Sequence, residues 1–180
     1  MNTTLFNAIH GLAGKSQILD FLGVFSAEYL AYIVAVAALV AVLMAFPDWK
    51  RRFYFYGLLA LALILSRGII TEAFRYFYYH PRPFDVFHFT PLIPESGNSF
   101  PSGHTTFFFA LAGIMWAMNR KWGWWFLGAA ALIGVARVFV GVHWPYDILG
   151  GAVIGLLSAW ASTYLLPPER IKNMKQETTA

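Results

Sequence analysis

The sequence predicts an all-α membrane protein, a polytopic bundle of five to six transmembrane helices. Of its 180 residues, 58% are hydrophobic and only 12% are charged, whereas soluble domains average about 25% charged residues. Five apolar segments approach the roughly 20 residues that a helix needs to cross a bilayer. These segments are residues 28–46, 53–74, 105–118, 122–140 and 148–166.

The residues before the first segment, 1–23, predict a helix at the membrane surface or a first helix that also crosses. Apolar residues such as Leu5, Ile9 and Leu12 recur there at helical spacing. The stretch has neither the cationic start nor the cleavage site of a secretory signal, so we expect it in the mature protein. Residues 167–180 form a short polar tail, and the absence of repeats and linkers predicts a single domain over residues 1–180.

The distribution of Lys and Arg predicts how the chain is oriented in the membrane. Cytoplasmic loops carry an excess of these residues, and basic clusters follow the first, third and fifth segments. The connections at 75–103 and 141–147 then share the opposite face, and the tail lies in the cytoplasm. The clusters are Lys50 to Arg52, Arg120 with Lys121, and Arg170, Lys172 and Lys175.

Charge and cysteine content exclude several classes of function. The net charge of +4 comes from these short clusters, and no basic run is long enough to indicate a nucleic-acid partner. The chain has no cysteine, which excludes disulfides, thiolate chemistry and thiolate metal sites.

Three short polar stretches, 75–83, 101–104 and 137–147, interrupt the apolar chain on the predicted outer face. Together they hold three Arg, three His, one Asp and a Ser-Gly pair. Arginines supply fixed charge and forked donors that match phosphate oxygens. Two imidazoles can divide the roles of nucleophile and proton donor. These residue types, gathered in one place, indicate hydrolysis of a phosphate ester.

The second stretch, Pro101-Ser102-Gly103-His104, comes directly before an apolar segment. Ser102 is a natural N-cap there, and the amides of a helix start attract anions. Gly103 lets the backbone come close to a ligand, and the His104 ring could reach an ester oxygen. Simple capping of the helix is the alternative interpretation.

The third stretch repeats this arrangement with a histidine and an acid. Pro145 suits the first turn of a helix and places Asp147 one helical step after His143. A carboxylate that is hydrogen-bonded to one nitrogen of the histidine ring fixes the tautomer and leaves the other nitrogen free to attack. The alternative is an ordinary first-turn acid opposite the helix dipole.

Three arginines favour the functional interpretation. Arg137 lies near the outer end of a span, where an arginine at membrane depth costs about 2.5–3.5 kcal/mol and needs a partner or an anionic ligand. Arg75 and Arg82 lie at the end of another span, and Pro81 and Pro83 prevent that helix from continuing. Arginines that extend to the membrane surface are the alternative, but it does not explain their convergence with two histidines.

In chain order, the polar stretches form three motifs with fixed spacings that cover roughly the last three fifths of the chain. The motifs are Arg75 with six residues before Arg82-Pro83, then Pro101 to His104, then Arg137 with five residues before His143 and three more before Asp147.

These motifs resemble those of the type 2 phosphatidic acid phosphatase superfamily, which also includes vanadium haloperoxidases. Two positions depart from the family pattern. Arg75 stands where the first motif usually has Lys, which keeps the charge but changes the geometry. Ala136 stands where the third motif usually has Ser, which removes one possible hydroxyl contact.

The N-terminal part resembles one branch of that superfamily, the bacterial undecaprenyl-diphosphate phosphatases of the bacitracin-resistance type. The resemblance rests on residues 6–12, on Leu19-Asp20 and on Glu28-Tyr29. It implies a multi-pass protein of the bacterial inner (plasma) membrane with its active site on the periplasmic or extracellular face. Glu28 could bind substrate, or it could cap a helix.

The resemblance also implies a mechanism without metal or cofactor. His143, held by Asp147, would attack the terminal phosphorus of a polyprenyl diphosphate lipid, and His104 would protonate the departing lipid phosphate. The products would be undecaprenyl phosphate and inorganic phosphate, which recycles the cell-wall lipid carrier. The groups expected to hold the nonbridging oxygens are Arg75, Arg82, Arg137, the Ser102 hydroxyl and the Gly103 amide.

Two alternatives stay open at the level of the sequence. A phosphatidylglycerophosphate or phosphatidic acid phosphatase would use the same residues. A nonenzymatic lipid-binding or transport protein would keep its function in a His143→Ala variant. No role is assigned to His10, His80 or His88. Arg67 and Glu72, five residues apart, could pair weakly with each other or contact other helices.

Overall fold

All regular structure in residues 2–167, the part of the chain that the computed structural model describes, is helical. This confirms the predicted all-α class. Four helical segments are long and apolar enough to cross a membrane, namely Gln17–Ala45, Trp49–Phe77, Arg120–Phe139 and Pro145–Leu165, and Gly103–Met118 is a shorter apolar helix. The helices are α1 (Asn2–His10), α2 (Gln17–Val24), α3 (Leu30–Ala45), α4 (Trp49–Leu63), α5 (Thr71–Phe77), α6 (Pro83–Phe87), α7 (Gly103–Met118), α8 (Arg120–Phe139) and α9 (Pro145–Leu165).

The first span begins earlier than the hydrophobicity of the sequence suggests. Helices α2 and α3 are joined by a π-helical turn, Phe25–Tyr29, into one helix of 29 residues. Residues 17–23 therefore extend the span, and within the predicted N-terminal segment only α1 is a separate helix. The break comes at Gly14, whose φ of 76° lies in the left-handed region that favours glycine.

The second span has the same construction. Helices α4 and α5 are joined by the π-helical segment Ile64–Ile70, again giving a helix of 29 residues. The Thr71 hydroxyl donates to the Ser66 carbonyl oxygen at 2.9 Å, so a backbone acceptor inside this segment is satisfied within the helix. Single π-helical turns change the direction of the side chains that follow and are frequent at functional sites.

Helix α7 packs closely against α8 and α9. A Cβ at Gly155 would lie 2.5 Å from the Thr106 carbonyl oxygen, and one at Gly151 would lie 3.0 Å from the Ser102 carbonyl oxygen. These two glycines therefore allow α9 to approach the backbone of α7 closely. Gly128 differs, because a Cβ there would meet nothing within 4 Å. The contact brings the start of α7 against the start of α9, where the Ser102 amide donates to the Asp147 carbonyl oxygen at 3.2 Å.

Helix α1 packs across the ends of α8 and α9. Its Phe6 is buried against Val138 and Trp144, and His10 Nδ1 donates to the Phe139 carbonyl oxygen at 2.8 Å. His10, which has no role at the level of the sequence, therefore anchors α1. His88 has a structural place as well, because it ends α6 in the left-handed conformation, with a φ of 55°.

The glycine contact between α7 and α9 predicts a contrast between two alanine variants. Gly155→Ala adds a methyl group against backbone atoms of α7 and should destabilise the protein by about 1–3 kcal/mol, as overpacking does. Gly128→Ala fills open space and removes a flexible residue from a helix, so it should be neutral or stabilising. Thermal unfolding of both variants in detergent measures the difference, and equal midpoints would contradict the packing described here.

Candidate active site

A cavity of about 320 Å³ lies between the spans at one end of the helix bundle. Its polar lining comes from the ends of α5, α7 and α8 and from the connections between helices. Apolar side chains of α3 and α7 complete it. The lining residues are Arg67, Arg75, Arg82, Glu95, Gly103, His104, Arg137 and His143 on the polar part, and Ala31, Tyr32, Ala35, Phe107 and Phe108 on the apolar part.

Most residues that the sequence singles out line this one cavity. Asp147 and Ser102 belong to the same cluster but lie behind it, fully buried. Glu28 lies on the π-helical turn of the first span, close enough to Arg137 for the two charges to interact. Glu95 is the lining residue that brings a carboxylate into the cavity.

His143 is held from behind by Asp147. Its Nδ1 lies 3.4 Å from Asp147 Oδ2, while its Nε2 lies on the cavity side, 3.5 Å from Arg82 Nη1. An arginine can only donate, so the tautomer with the proton on Nδ1 suits both neighbours. That tautomer leaves the lone pair of Nε2 directed towards the cavity.

Asp147 is fixed by more contacts than the sequence indicates. Oδ2 accepts a hydrogen bond from the Trp144 amide at 2.8 Å and another from the Ser99 hydroxyl. Oδ1 lies 3.4 Å from His80 Nδ1, but the geometry does not make a hydrogen bond. The carboxylate therefore cannot rotate freely, and the orientation of the His143 ring follows from it.

Arg82 is buried and joins two loops. It donates to backbone carbonyl oxygens of Gly97 at 2.9 Å, Ser96 at 3.0 Å and Asn98 at 3.3 Å, all before α7, and of Val142 at 2.8 Å, next to His143. Carbonyl groups buried without a donor are costly, so this one side chain stabilises the path of both loops.

The other two arginines of the motifs have different partners. Arg137 is buried and forms an ion pair with Glu95, which also lies 3.7 Å from Arg82. Burial raises the pKa of Glu95, but the charges of Arg137 and Arg82 outweigh it and hold that pKa below its usual value. Arg75 is more exposed and donates to the Pro101 carbonyl oxygen at 3.3 Å. Glu95 is therefore an ionised carboxylate that compensates part of the charge of Arg137 and Arg82.

Ser102 and Gly103 form the start of α7. The Ser102 hydroxyl accepts hydrogen bonds from the amide of Thr105 at 3.5 Å and from its hydroxyl at 3.1 Å. This is the N-cap geometry expected from the sequence, and the contact of the Ser102 hydroxyl with phosphate stays a prediction. Gly103 lines the cavity, and a Cβ there would lie 2.7 Å from Arg67 Nε.

Sequence reasoning missed three residues of this cluster: Glu95, Ser99 and Arg67. The first two belong to a polar run, residues 94–99, directly before the second motif. That run was a usable signal, since polar residues are scarce in this chain. The sequence shows Arg67 as a charge inside an apolar segment. Its spacing of five residues to Glu72 does not indicate that it lines the cavity.

A model of the PAP2 superfamily matches residues 53–171, which contain all three motifs. The chain belongs to the PAP2 superfamily. The resemblance to type 2 phosphatidic acid phosphatases is thereby confirmed, and the protein is a multi-pass membrane phosphatase of this family.

The PAP2 relatives include proteins of the bacitracin-resistance type. Undecaprenyl-diphosphatase BcrC of Bacillus subtilis (strain 168) is 34% identical over 158 residues, which are 87% of this chain and 80% of the relative. The bacitracin transport permease protein BcrC of Bacillus licheniformis is 32% identical over 161 residues, 88% of this chain and 77% of the relative. A crystal structure of LpxE from Aquifex aeolicus superimposes with a TM-score of 0.75 at 26% identity and covers 91% of this chain and 94% of that chain.

Lysine substitutions at two arginines of this PAP2 site should differ in their effect on activity and stability. Lysine has one nitrogen and cannot reach the four carbonyl oxygens that Arg82 contacts, whereas Arg75 stands where the family usually has lysine. We expect Arg82→Lys to lower phosphatase activity at least about tenfold more than Arg75→Lys, and to lower the unfolding midpoint as well. Assays and thermal unfolding of the two variants in one detergent test this, and equal losses would contradict the bridging role.

The protonation state of His143 gives a second prediction. Burial lowers the pKa of this ring to about 4, against the opposing effect of its bond to Asp147. The ring should therefore stay neutral from pH 8 down to nearly pH 4, well below the usual histidine value of about 6.5. Removing the carboxylate in Asp147→Asn should lower the pKa of His143 further, because the contact with Asp147 raises it.

NMR titration of the labelled histidines in detergent measures this value, with His143→Ala assigning the signal. A midpoint near the usual histidine value would contradict the prediction.

Proposed function

We propose that this protein hydrolyses undecaprenyl diphosphate to undecaprenyl phosphate and inorganic phosphate through a phosphohistidine at His143. The observation that carries the proposal is the neutral, preoriented His143, whose Nε2 lies on the side of a cavity lined by arginines. The similarity to undecaprenyl-diphosphatase BcrC supports this choice of substrate. The reaction would recycle the cell-wall lipid carrier.

The first step is attack by His143 Nε2 on the terminal phosphorus. His104 takes up a proton with the bound diphosphate. That proton passes to the bridging oxygen as the new N–P bond forms and the bond from phosphorus to that oxygen breaks. Asp147 stabilises the positive ring that results, because its carboxylate lies 3.4 Å from Nδ1. The lipid monophosphate leaves with the bridging oxygen.

The second step returns the enzyme to its starting state. His104, now neutral, takes a proton from water, and the water oxygen attacks the phosphorus of the phosphohistidine. The N–P bond breaks, and inorganic phosphate leaves. His104 and His143 can share these roles because both line the cavity, at the starts of α7 and α9.

The arginines stabilise the charge that develops on the nonbridging oxygens. Arg82 lies beside His143 Nε2, and Arg137 pairs with the ionised Glu95 that lies near Arg82. Donors fixed before the reaction, in a site with little water, are the most effective stabilisers of such charge. Arg75 and the Gly103 amide are assigned to the same role, and the buried Ser102 hydroxyl supports it by holding the start of α7.

The lining of the cavity suits a lipid. Phe107 and Phe108 lie one turn further along α7 than His104, and Ala31 and Ala35 face them from α3. An apolar tail can therefore stay between the spans while its diphosphate meets the arginines. The basic clusters at 50–52 and 120–121 support a bacterial inner-membrane protein with this site on the periplasmic or extracellular face.

The decisive experiment is phosphate release by purified protein in detergent with excess chelator. Undecaprenyl diphosphate, phosphatidylglycerophosphate and phosphatidic acid are compared as substrates. We expect preference for the diphosphate, and losses of roughly 10³-fold or more in kcat for His143→Ala and Asp147→Asn. Arg120→Gln, an exposed arginine at the other end of α8, is the matched control.

The phosphohistidine is tested with substrate labelled in the terminal phosphate. Rapid quenching should trap label that is stable to base, labile to acid and absent from His143→Ala. Preference for a glycerophospholipid would favour a phosphatidylglycerophosphate or phosphatidic acid phosphatase instead. Equal turnover by wild type and His143→Ala would overturn the phosphohistidine mechanism. Absence of turnover by the wild type would favour the nonenzymatic lipid-binding or transport alternative.

A further inference from the structure

Arg67 is a charged residue in the middle of the second span, and the mechanism above does not use it. It lies in the π-helical segment Ile64–Ile70, between α4 and α5. An arginine inside a span is costly and usually faces a partner or a polar cavity. This one lines the cavity together with Arg75, Arg82 and Arg137.

Two contacts hold the Arg67 guanidinium in place. Its Nη1 pairs with Glu72, and its Nε packs on the backbone of Gly103, at 2.7 Å from where a Cβ would be. An α-helix would place residues five apart on different faces, whereas the π-helical turn brings them together. Glu72 also lies 3.7 Å from Arg75 Nη1, so the carboxylate holds two cationic side chains at the edge of the cavity.

Arg67 differs from Arg82 and Arg137 in its position relative to the two histidines. The charges of Arg82 and Arg137 act on His143, and Glu95 links these two arginines. Arg67 packs on Gly103, the residue before His104. The charges of Arg137 and Arg67 both act on His104, so Arg137 lies near both histidines, whereas Arg67 lies against the start of α7, beside the proton donor.

We propose that Arg67 binds the second, lipid-linked phosphate of a diphosphate substrate and makes the site selective for lipid diphosphates over lipid monophosphates. This inference rests on the proposed function. The terminal phosphoryl group lies between His143 and the pair Arg82 and Arg137. The bridging oxygen lies at His104, and the phosphate beyond it therefore meets Arg67. A monophosphate ester has no group for this position.

The experiment compares farnesyl diphosphate and farnesyl phosphate as substrates of wild type, Arg67→Gln, Arg67→Lys and Arg120→Gln. The quantity measured is the ratio of kcat/KM for the diphosphate to that for the monophosphate. We expect Arg67→Gln to lower this ratio about 10- to 100-fold, the effect of one lost hydrogen bond to a charged group. Arg67→Lys, which keeps the charge without the fork, should lower it less, and Arg120→Gln should leave it unchanged.

A binding measurement tests Arg67 independently of turnover. Pyrophosphate should raise the unfolding midpoint of the wild type more than inorganic phosphate does, and Arg67→Gln should lose that difference. If the glutamine variant does not fold, Arg67→Lys takes its place in this measurement.

The outcomes separate this inference from the proposed function. An unchanged ratio, whether kcat/KM stays the same or falls equally for both substrates, would overturn the role of Arg67 and leave only its ion pair with Glu72. A wild type that does not hydrolyse any diphosphate would overturn the proposed function instead. In that case, the difference between pyrophosphate and phosphate binding in the Arg67 variants still decides whether Arg67 contacts a second phosphate.

Discussion

The polar end of the helix bundle depends on the buried guanidinium of Arg82. Its donors satisfy carbonyl oxygens of Ser96, Gly97 and Asn98 and, from the other loop, of Val142. No regular helix supplies partners for these backbone groups, and buried carbonyls without donors are costly. Arg82 therefore fixes the path of the loop before α7 and the position of His143. It also lies beside His143 Nε2, the atom that is proposed to attack phosphorus.

The carboxylates of the site have separate structural tasks. Asp147 is buried and accepts from the Trp144 amide and the Ser99 hydroxyl, so its orientation is set by its surroundings and passes to His143. Glu95 pairs with Arg137 and thereby makes a buried arginine tolerable near the end of a span. Glu72 directs Arg67 towards the start of α7. Each of these three carboxylates has a partner whose position limits its movement.

Two kinds of local irregularity direct the spans towards the site. The π-helical turns in the first and second spans change which face the following residues present, and Glu28 and Arg67 lie on them. Glycines in α9 allow α7 to approach until the Ser102 amide reaches the Asp147 carbonyl oxygen. Both features position the residues around the cavity more closely than regular helices at ordinary spacing would.

The sequence by itself determined the apolar helices of the bundle and the pairing of His143 with Asp147. These follow from hydrophobicity and from spacing within one helix, which are local properties. Only the tertiary structure decided that Glu95 neutralises Arg137, that Ser99 bonds to Asp147 and that Arg67 joins the cavity. The partners in the first two pairs are 42 and 48 residues apart, and Arg67 reaches the cavity through a π-helical turn. Such contacts depend on how loops and spans pack together, and the residue types alone do not specify that packing.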